Sequence, residues 1–497
     1  MDRIARSHRA ALDNATDYGT WREIAAELDR REGLDDWKAE ETSDDYDWRL
    51  IRSRLRQLRD LHAAGDVEEL VHHLRQGLHW NLGNIGNPDL YTRSRVGTKH
   101  LIQEYVSEVV AVIDYICDTE MPGFPFADKI RFFSELSKSY GRSALLLSGG
   151  ATLGLFHVGV LKALHLQDLV PNVISGSSAG SVVAATVGSR KPEELDELLD
   201  ARNAYYHFWK PLGLKRVIEQ RSLMDPAQVA KAIAANVKDL TFEESFRISG
   251  KVVNITVSPA ASNQPPRLLN YLTFPYLFLR EATLASCSVP FLFPPVMLMS
   301  RDANGERVPF MPLLKWNDGS LKSDLPMLRL RRLHNVNHFL VSQTNPHVIP
   351  FLNPANQGGT GGGGALRRFA MASVRSQARN VLDLAQAKLP IGGVRSHLEN
   401  AAAILDQDYR GHVTIVPERS LWRFAQVTAN PRLRDIERFI HEGERSTWAR
   451  MSMVRNQVAI GQALERCVAR LERRRDLGES SGDTRRPELT VVRSQSA

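Results

Sequence analysis

Twice in one short stretch, an apolar run empties into glycines and then into a helical segment. Residues 144–147 lead into Ser148-Gly149-Gly150-Ala151, followed by an amphipathic run over 155–166. Residues 173–175 lead into Gly176-Ser177-Ser178-Ala179-Gly180, followed by an alanine-rich stretch. Repeated strand–turn–helix units bury a strand on both faces, which calls for a parallel sheet rather than a sandwich or a bundle. Further strands are expected at 252–257, 296–299, 338–342 and 413–416, with helices between them. The expected fold is α/β: a mostly parallel sheet covered by helices on both faces, preceded by a helical region and followed by a helical extension. In such sheets, ligands gather at the carboxyl ends of the strands, where both glycine turns fall.

The second turn is a GxSxG pentapeptide centred on Ser178. A sharp strand-to-helix turn strains its central residue and projects its hydroxyl away from the sheet, and Gly176 and Gly180 supply the room this requires. With 33 glycines in the chain the pentapeptide alone is a weak signal. The first turn sharpens it. Backbone N–H groups of Gly149, Gly150 and Ala151, left open at a helix N-terminus, suit a group that develops negative charge. A nucleotide pyrophosphate is disfavoured because the dinucleotide fingerprint requires glycine where Ala151 stands. The oxyanion of an acyl-transfer intermediate fits, and it explains why the two turns belong to neighbouring units of one sheet.

A serine nucleophile needs a base. Seven histidines lie downstream of Ser178, none in a distinctive context; His338 and His412 sit in or beside short apolar strands, as structural imidazoles do. Asp318, in Trp316-Asn317-Asp318-Gly319-Ser320, is the better candidate, since Gly319 permits a tight turn that brings its carboxylate to the serine. An exposed aspartate, with a pKa of about 3.9, is a poor base at neutral pH. Burial beside an apolar acyl site, with no cation nearby, would raise it.

Gly149 to Gly154, Gly176 to Gly180 and Asp318-Gly319-Ser320, in that order and spacing, resemble the patatin-like phospholipase superfamily. So do Ala285-Ser286-Cys287-Ser288-Val289-Pro290 with Phe293-Pro294-Pro295, and the run from Phe339 to His347. Both are most similar to the branch of storage-lipid triacylglycerol lipases, as is the stretch from Trp80 to Asn87 with Leu90-Tyr91, which resembles the helical region those enzymes carry before the catalytic domain. The resemblance spans residues 10–450. It implies a Ser178–Asp318 dyad that works without histidine, an oxyanion hole at Gly149, Gly150 and Ala151, and a nucleophile elbow flanked by Gly176 and Gly180, with neither cofactor nor metal. It further implies cleavage of fatty acyl esters of triacylglycerol or related acylglycerols through an acyl-enzyme. Phospholipase A, a lysophospholipid acyltransferase, and a non-catalytic lipid-surface binding protein are the alternatives. Many relatives place a third glycine and then a basic residue in the oxyanion loop, where this chain has Ala151 and Leu153. The missing cation favours a neutral acylglycerol over a phosphate head group. Ser320 replaces the commoner glycine or alanine, a small-for-small change.

The organisation expected is a helical region over 1–140, a catalytic core over 141–345, and a continuation over 346–475. That continuation holds a glycine-rich linker (358–364), a basic amphipathic helix (366–389) and long helices, and a polar, disordered tail follows at 476–497. Cys117, Cys287 and Cys467 fit no metal or disulfide framework and read as reduced thiols of a cytoplasmic protein. The N-terminus lacks an apolar leader, and the most apolar window, 274–299, is interrupted by Arg280, Glu281 and prolines. Contact with a membrane or lipid droplet is therefore expected to be peripheral. The net charge of +7 is concentrated in patches, notably Tyr205 to Arg216, where aromatic and basic residues mix as in interfacial segments. No nucleic-acid-binding motif accompanies these patches, and the oligomeric state is not legible. The helix at 366–389 is expected either as a lid or lipid contact, or as a docked surface helix.

Overall fold

The computed structural model describes residues 3–121, 123–203, 205–220, 222–260, 264–346, 348–349, 409–418 and 427–478. The expected linker at 358–364, the basic helix at 366–389, and residues 479–497 of the expected tail lie outside the described residues, as do His347 and His397.

Seven strands form one sheet among the described residues: β1 (Arg142–Leu147), β2 (Val173–Gly176), β3 (Val252–Pro259), β4 (Arg267–Leu269), β7 (Trp316–Asp318), β8 (Val336–Ser342) and β9 (Val413–Ile415). The order is β4-β3-β2-β1-β8-β9, with β7 also paired to β3. All pairings among β1, β2, β3, β8 and β9 are parallel, while β4 and β7 run antiparallel to β3. Strand side chains alternate between two cores. Leu145, Leu147, Ile174, Ile255 and Leu340 face the larger cluster, whereas Ala144, Leu146, Val173, Phe339 and Val341 face the smaller. Both faces are thus buried under helices, as the apolar strand sequences require.

The strand expected at 296–299 is not a member of this sheet. β5 (Met299–Arg301) pairs with β6 (Arg307–Pro309) in a separate two-stranded ribbon, and Val296 instead bridges Trp316. The apolar run here serves to bury Leu298 and to deliver β7 beside β3.

The N-terminal segment is helical. Asp17 and Asp47 cap the helices Tyr18–Arg31 and Trp48–Ala64, accepting from the N–H groups of Thr20 (2.9 Å) and Leu50 (3.0 Å). Asn84 and Asn87 both donate to the Asp45 carbonyl (2.9 and 3.1 Å), pinning the acidic loop after Glu40. The helix His100–Asp118, apolar nearly all round, packs between Trp48–Ala64 and the C-terminal helix Met451–Asp476. The long helices expected before residue 475 are Leu433–Trp448 and Met451–Asp476, separated by Ala449 and Arg450. The second closes the molecule: Gln457 bonds His338 of β8 (2.6 Å), and Glu465 bonds Arg142 of β1 (2.8 Å).

Candidate active site

β2 ends at Gly176 and the next helix, Ala179–Gly188, starts three residues later, so the chain reverses within Ser177 and Ser178. Ser178 takes φ 50° and ψ −121°, a left-handed conformation that costs a non-glycine residue on the order of 1–3 kcal/mol. Small neighbours make it tolerable: a Cβ at Gly180 would lie 2.1 Å from the Leu147 carbonyl oxygen, and one at Gly176 would lie 2.3 Å from that of Gly180. The turn is tied down by its surroundings. The Ser178 N–H donates to Ser286 Oγ (3.0 Å), and the Cys287 thiol donates to the Ser178 carbonyl (3.4 Å). The stretch from Ala285 to Pro290 thus works as a clamp on the elbow.

Asp318 ends β7, directly opposite Val257 of β3. Its Oδ1 accepts the Ser320 N–H at 2.7 Å. Its other oxygen, Oδ2, is buried and has no hydrogen-bond partner among the described residues. Burial pushes the carboxyl from 3.8 up to about 6, opposed in turn by the Ser320 N–H, the Ser320 hydroxyl and the Ser178 hydroxyl. Ser178 is therefore near enough to favour the ionised form, although the pair has not closed a hydrogen bond. Such contacts are commonly long in ligand-free sites and tighten with substrate.

The glycine bend follows β1. The Gly149 N–H is already engaged, donating at 2.8 Å to Oδ1 of Asp324. No hydrogen bond among the described residues closes on the N–H groups of Gly150 and Ala151. Ala151 has φ 51°, a second strained non-glycine residue. The bend is held from outside by Thr152, whose N–H and hydroxyl reach the carbonyls of Val427 (3.1 Å) and Ala429 (2.9 Å). Below it, His157 touches the Ser148 carbonyl (2.9 Å) and Ser342 Oγ (2.7 Å), and burial lowers its pKa to about 4, which keeps it neutral.

Asp324 was not singled out by sequence. It is 1% exposed, and its Oδ2 accepts the Asn345 side-chain amide at 2.8 Å while its carbonyl accepts the Ser177 hydroxyl at 2.8 Å. One residue thus joins the glycine bend, the elbow and the segment after β8. Burial pushes its carboxyl up to about 7; the donors from Gly149 and Asn345 oppose this, and the charge of Asp318 adds to it.

Ser178, Asp318, Gly149, Gly150 and Ala151 all border one cavity of about 310 Å³. Away from Ser178 its wall is aliphatic and aromatic, with Leu161, Val183, Val187, Leu199 and Val229 among its residues. The polar groups there are satisfied internally: the Thr186 hydroxyl donates to Val182 O (2.6 Å), and the Asn236 amide to Tyr205 O (2.7 Å). No lysine, arginine or histidine lines it among the described residues. Two of the histidines downstream of Ser178 have structural partners instead, His334 with Asn254 (2.8 Å) and His338 with Ser143 (3.1 Å). No helix among the described residues is long and apolar enough to cross a membrane.

Comparison with known proteins gives two family matches: patatin-like phospholipase over residues 145–331, and a domain of unknown function (DUF3336) over residues 2–138. Among similar proteins, triacylglycerol lipase SDP1L of Arabidopsis thaliana is 35% identical over 493 residues, covering 95% of this chain and 59% of that protein. Triacylglycerol lipase ptl3 of Schizosaccharomyces pombe is 32% identical over 483 residues, covering 93% of this chain and 97% of its own length. Triacylglycerol lipase 4 of Saccharomyces cerevisiae is also 32% identical, with 93% of this chain and 53% of the relative covered. The chain thus spans little more than half of the plant and Saccharomyces relatives and nearly all of the Schizosaccharomyces one.

Proposed function

This chain belongs to the patatin-like phospholipase family, and from that membership we propose that it is a serine acyl hydrolase that cleaves acylglycerols at a lipid–water surface. Ser178 Oγ attacks the ester carbonyl while Asp318 Oδ2 takes its proton. The N–H groups of Gly150 and Ala151 hold the oxyanion, and the protonated dyad returns its proton to the departing alcohol. Water, deprotonated by Asp318, then attacks the acyl-enzyme and releases the fatty acid. Gly149, expected from sequence as a third donor, serves the bend instead through Asp324, leaving two amides for the oxyanion.

One observation carries this reading: a strained serine, a buried carboxylate with an open oxygen, and two unclaimed amides border the same apolar cavity, and among the described residues no imidazole does. A carboxyl near pKa 6 is mostly ionised at neutral pH yet basic enough to accept a proton. Among the described residues the cavity wall holds no cation, which favours a neutral acylglycerol, since a phosphate buried there would lack a counter-charge. Peripheral association with a membrane or lipid droplet in the cytoplasm completes the reading.

The test is fatty-acid release from emulsified triacylglycerol, diacylglycerol, phospholipid and lysophospholipid, with and without an acyl acceptor. Wild type should prefer the neutral lipids. Ser178→Ala should lose all turnover and all labelling by a fluorophosphonate while melting at an unchanged temperature; residual turnover in that variant ends the proposal.

A further inference from the structure

The helix Leu214–Gln220 is unusual in burying none of its residues. Leu214, Val217 and Ile218 fall on one face at i, i+3 and i+4, the spacing of a stripe that normally packs against a protein core. Here Leu214 is 80% and Ile218 is 72% exposed. The helix sits at the tip of a hairpin closed by Pro211 pairing with Met224. The hairpin's returning limb lies along the segment after Val289: Leu223 N–H donates to Phe291 O (3.2 Å), Met224 N–H to Leu292 O (3.1 Å), and Ser222 Oγ to Leu292 O (2.8 Å). Phe291 is 67% exposed and is held at φ 71°, a conformation that bulky residues avoid.

The same two segments build the cavity wall. Phe208 and Trp209, just before the hairpin, and Leu292 and Phe293, just after Phe291, line the cavity that holds Ser178. A continuous run of chain therefore turns apolar side chains inward at one residue and outward at the next. Lys215 and Arg216 are exposed on the helix, against one acidic residue, Glu219. Apolar side chains flanked by cations, in segments continuous with the cavity wall, match an interfacial helix rather than a protein-binding groove.

We infer that Leu214, Ile218, Leu223 and Phe291 form the face that inserts into a lipid surface, with Lys215 and Arg216 contacting anionic head groups beside them. This deepens the acyl-hydrolase reading, which it needs only to explain why the face adjoins the cavity. Binding is measured apart from catalysis, by flotation with vesicles of phosphatidylcholine alone and of phosphatidylcholine mixed with phosphatidylserine.

Wild type and Ser178→Ala should float equally, so loss of the hydrolase reading would leave this result standing. The double variant Leu214→Ser, Ile218→Ser should bind both vesicles at least tenfold more weakly. It should lose activity on emulsions, keep activity on a soluble short-chain ester, and melt at the wild-type temperature. Lys215→Gln and Arg216→Gln should each weaken binding to the phosphatidylserine vesicles about fivefold, equivalent to about 1 kcal/mol, and leave phosphatidylcholine binding unchanged. Undiminished flotation of the double serine variant would overturn the inference. So would a lowered melting temperature in that variant, which would mean that the protein itself covers the stripe.

Discussion

On the proposed dyad, the buried carboxyl of Asp318 should couple turnover to stability with opposite signs. Because its folded pKa lies near 6, above the ordinary 3.8, the folded protein favours the neutral carboxyl. Ionisation costs nothing below the ordinary value and reaches its full cost above about 6, on the order of 3 kcal/mol for a shift of about two units. On a soluble ester, kcat/KM should therefore rise through pH 6 as the base ionises, reported by the initial-rate profile. Asp318→Asn should lower kcat by about 10²–10⁴. Its melting temperature relative to wild type should climb between about pH 4 and pH 6 and level off above that, because only wild type pays the ionisation cost; a constant gap would mean the carboxyl titrates normally. Asp324 gives a second contrast. Asp324→Ala strands the Gly149 N–H and the Asn345 amide, each costing about 1–3 kcal/mol, and lets the bend move. Asp324→Asn keeps an acceptor for Gly149 and should retain more kcat and a higher melting temperature than the alanine variant. Ser178 and Asp318 were legible because their chemistry demands small flanking residues in a fixed pattern. Asp324 was not, since an aspartate in Ser-Asp-Leu-Pro reads as a surface residue until the fold buries it. The engagement of Gly149 was equally hidden, because a glycine run does not say which N–H another side chain will claim.

Among the elements, the helix Leu155–His165 that follows the glycine bend lies against Leu433–Trp448 at unusually close range. A Cβ on Gly159 would fall 1.8 Å from the Ile440 carbonyl oxygen, and one on Gly443 would fall 2.2 Å from that of Phe156. Lys162 and Glu444 pair across the contact at 3.0 Å. Gly443→Ala must push the helices apart and should destabilise the protein by about 1–3 kcal/mol in denaturant melts, with a parallel loss of kcat as the bend shifts. That partnership was invisible in sequence, since the two glycines lie far apart in the chain and each is ordinary in its own helix. The central strands were legible as apolar, β-branched runs buried on both faces. β4 and β7 were not: each is three residues long, and Trp316-Asn317-Asp318 offers neither alternation nor a continuous apolar run. The run at 296–299 misled for the converse reason, because apolar residues fill a buried connection as readily as a strand.

Across the whole molecule, the helix Met451–Asp476 fastens the N-terminal helices to the sheet. Cys117 donates to the Cys467 carbonyl (3.9 Å), the Gly97 N–H donates to Ser452 Oγ (2.7 Å), and Asn172 donates to Glu465 (2.6 Å). Its buried face includes Met451, Val454, Val458, Leu464 and Leu471. A protein beginning at residue 141 would expose that face and should aggregate or melt without cooperativity, as followed by size-exclusion chromatography and calorimetry.

The order in which these parts leave the ribosome has its own consequence. The elbow emerges early, its base only with β7, and the helix that seats against Leu155–His165 only after residue 433. On the proposed dyad, a chain cut short before that point carries the GxSxG segment without a complete site and should cleave no ester.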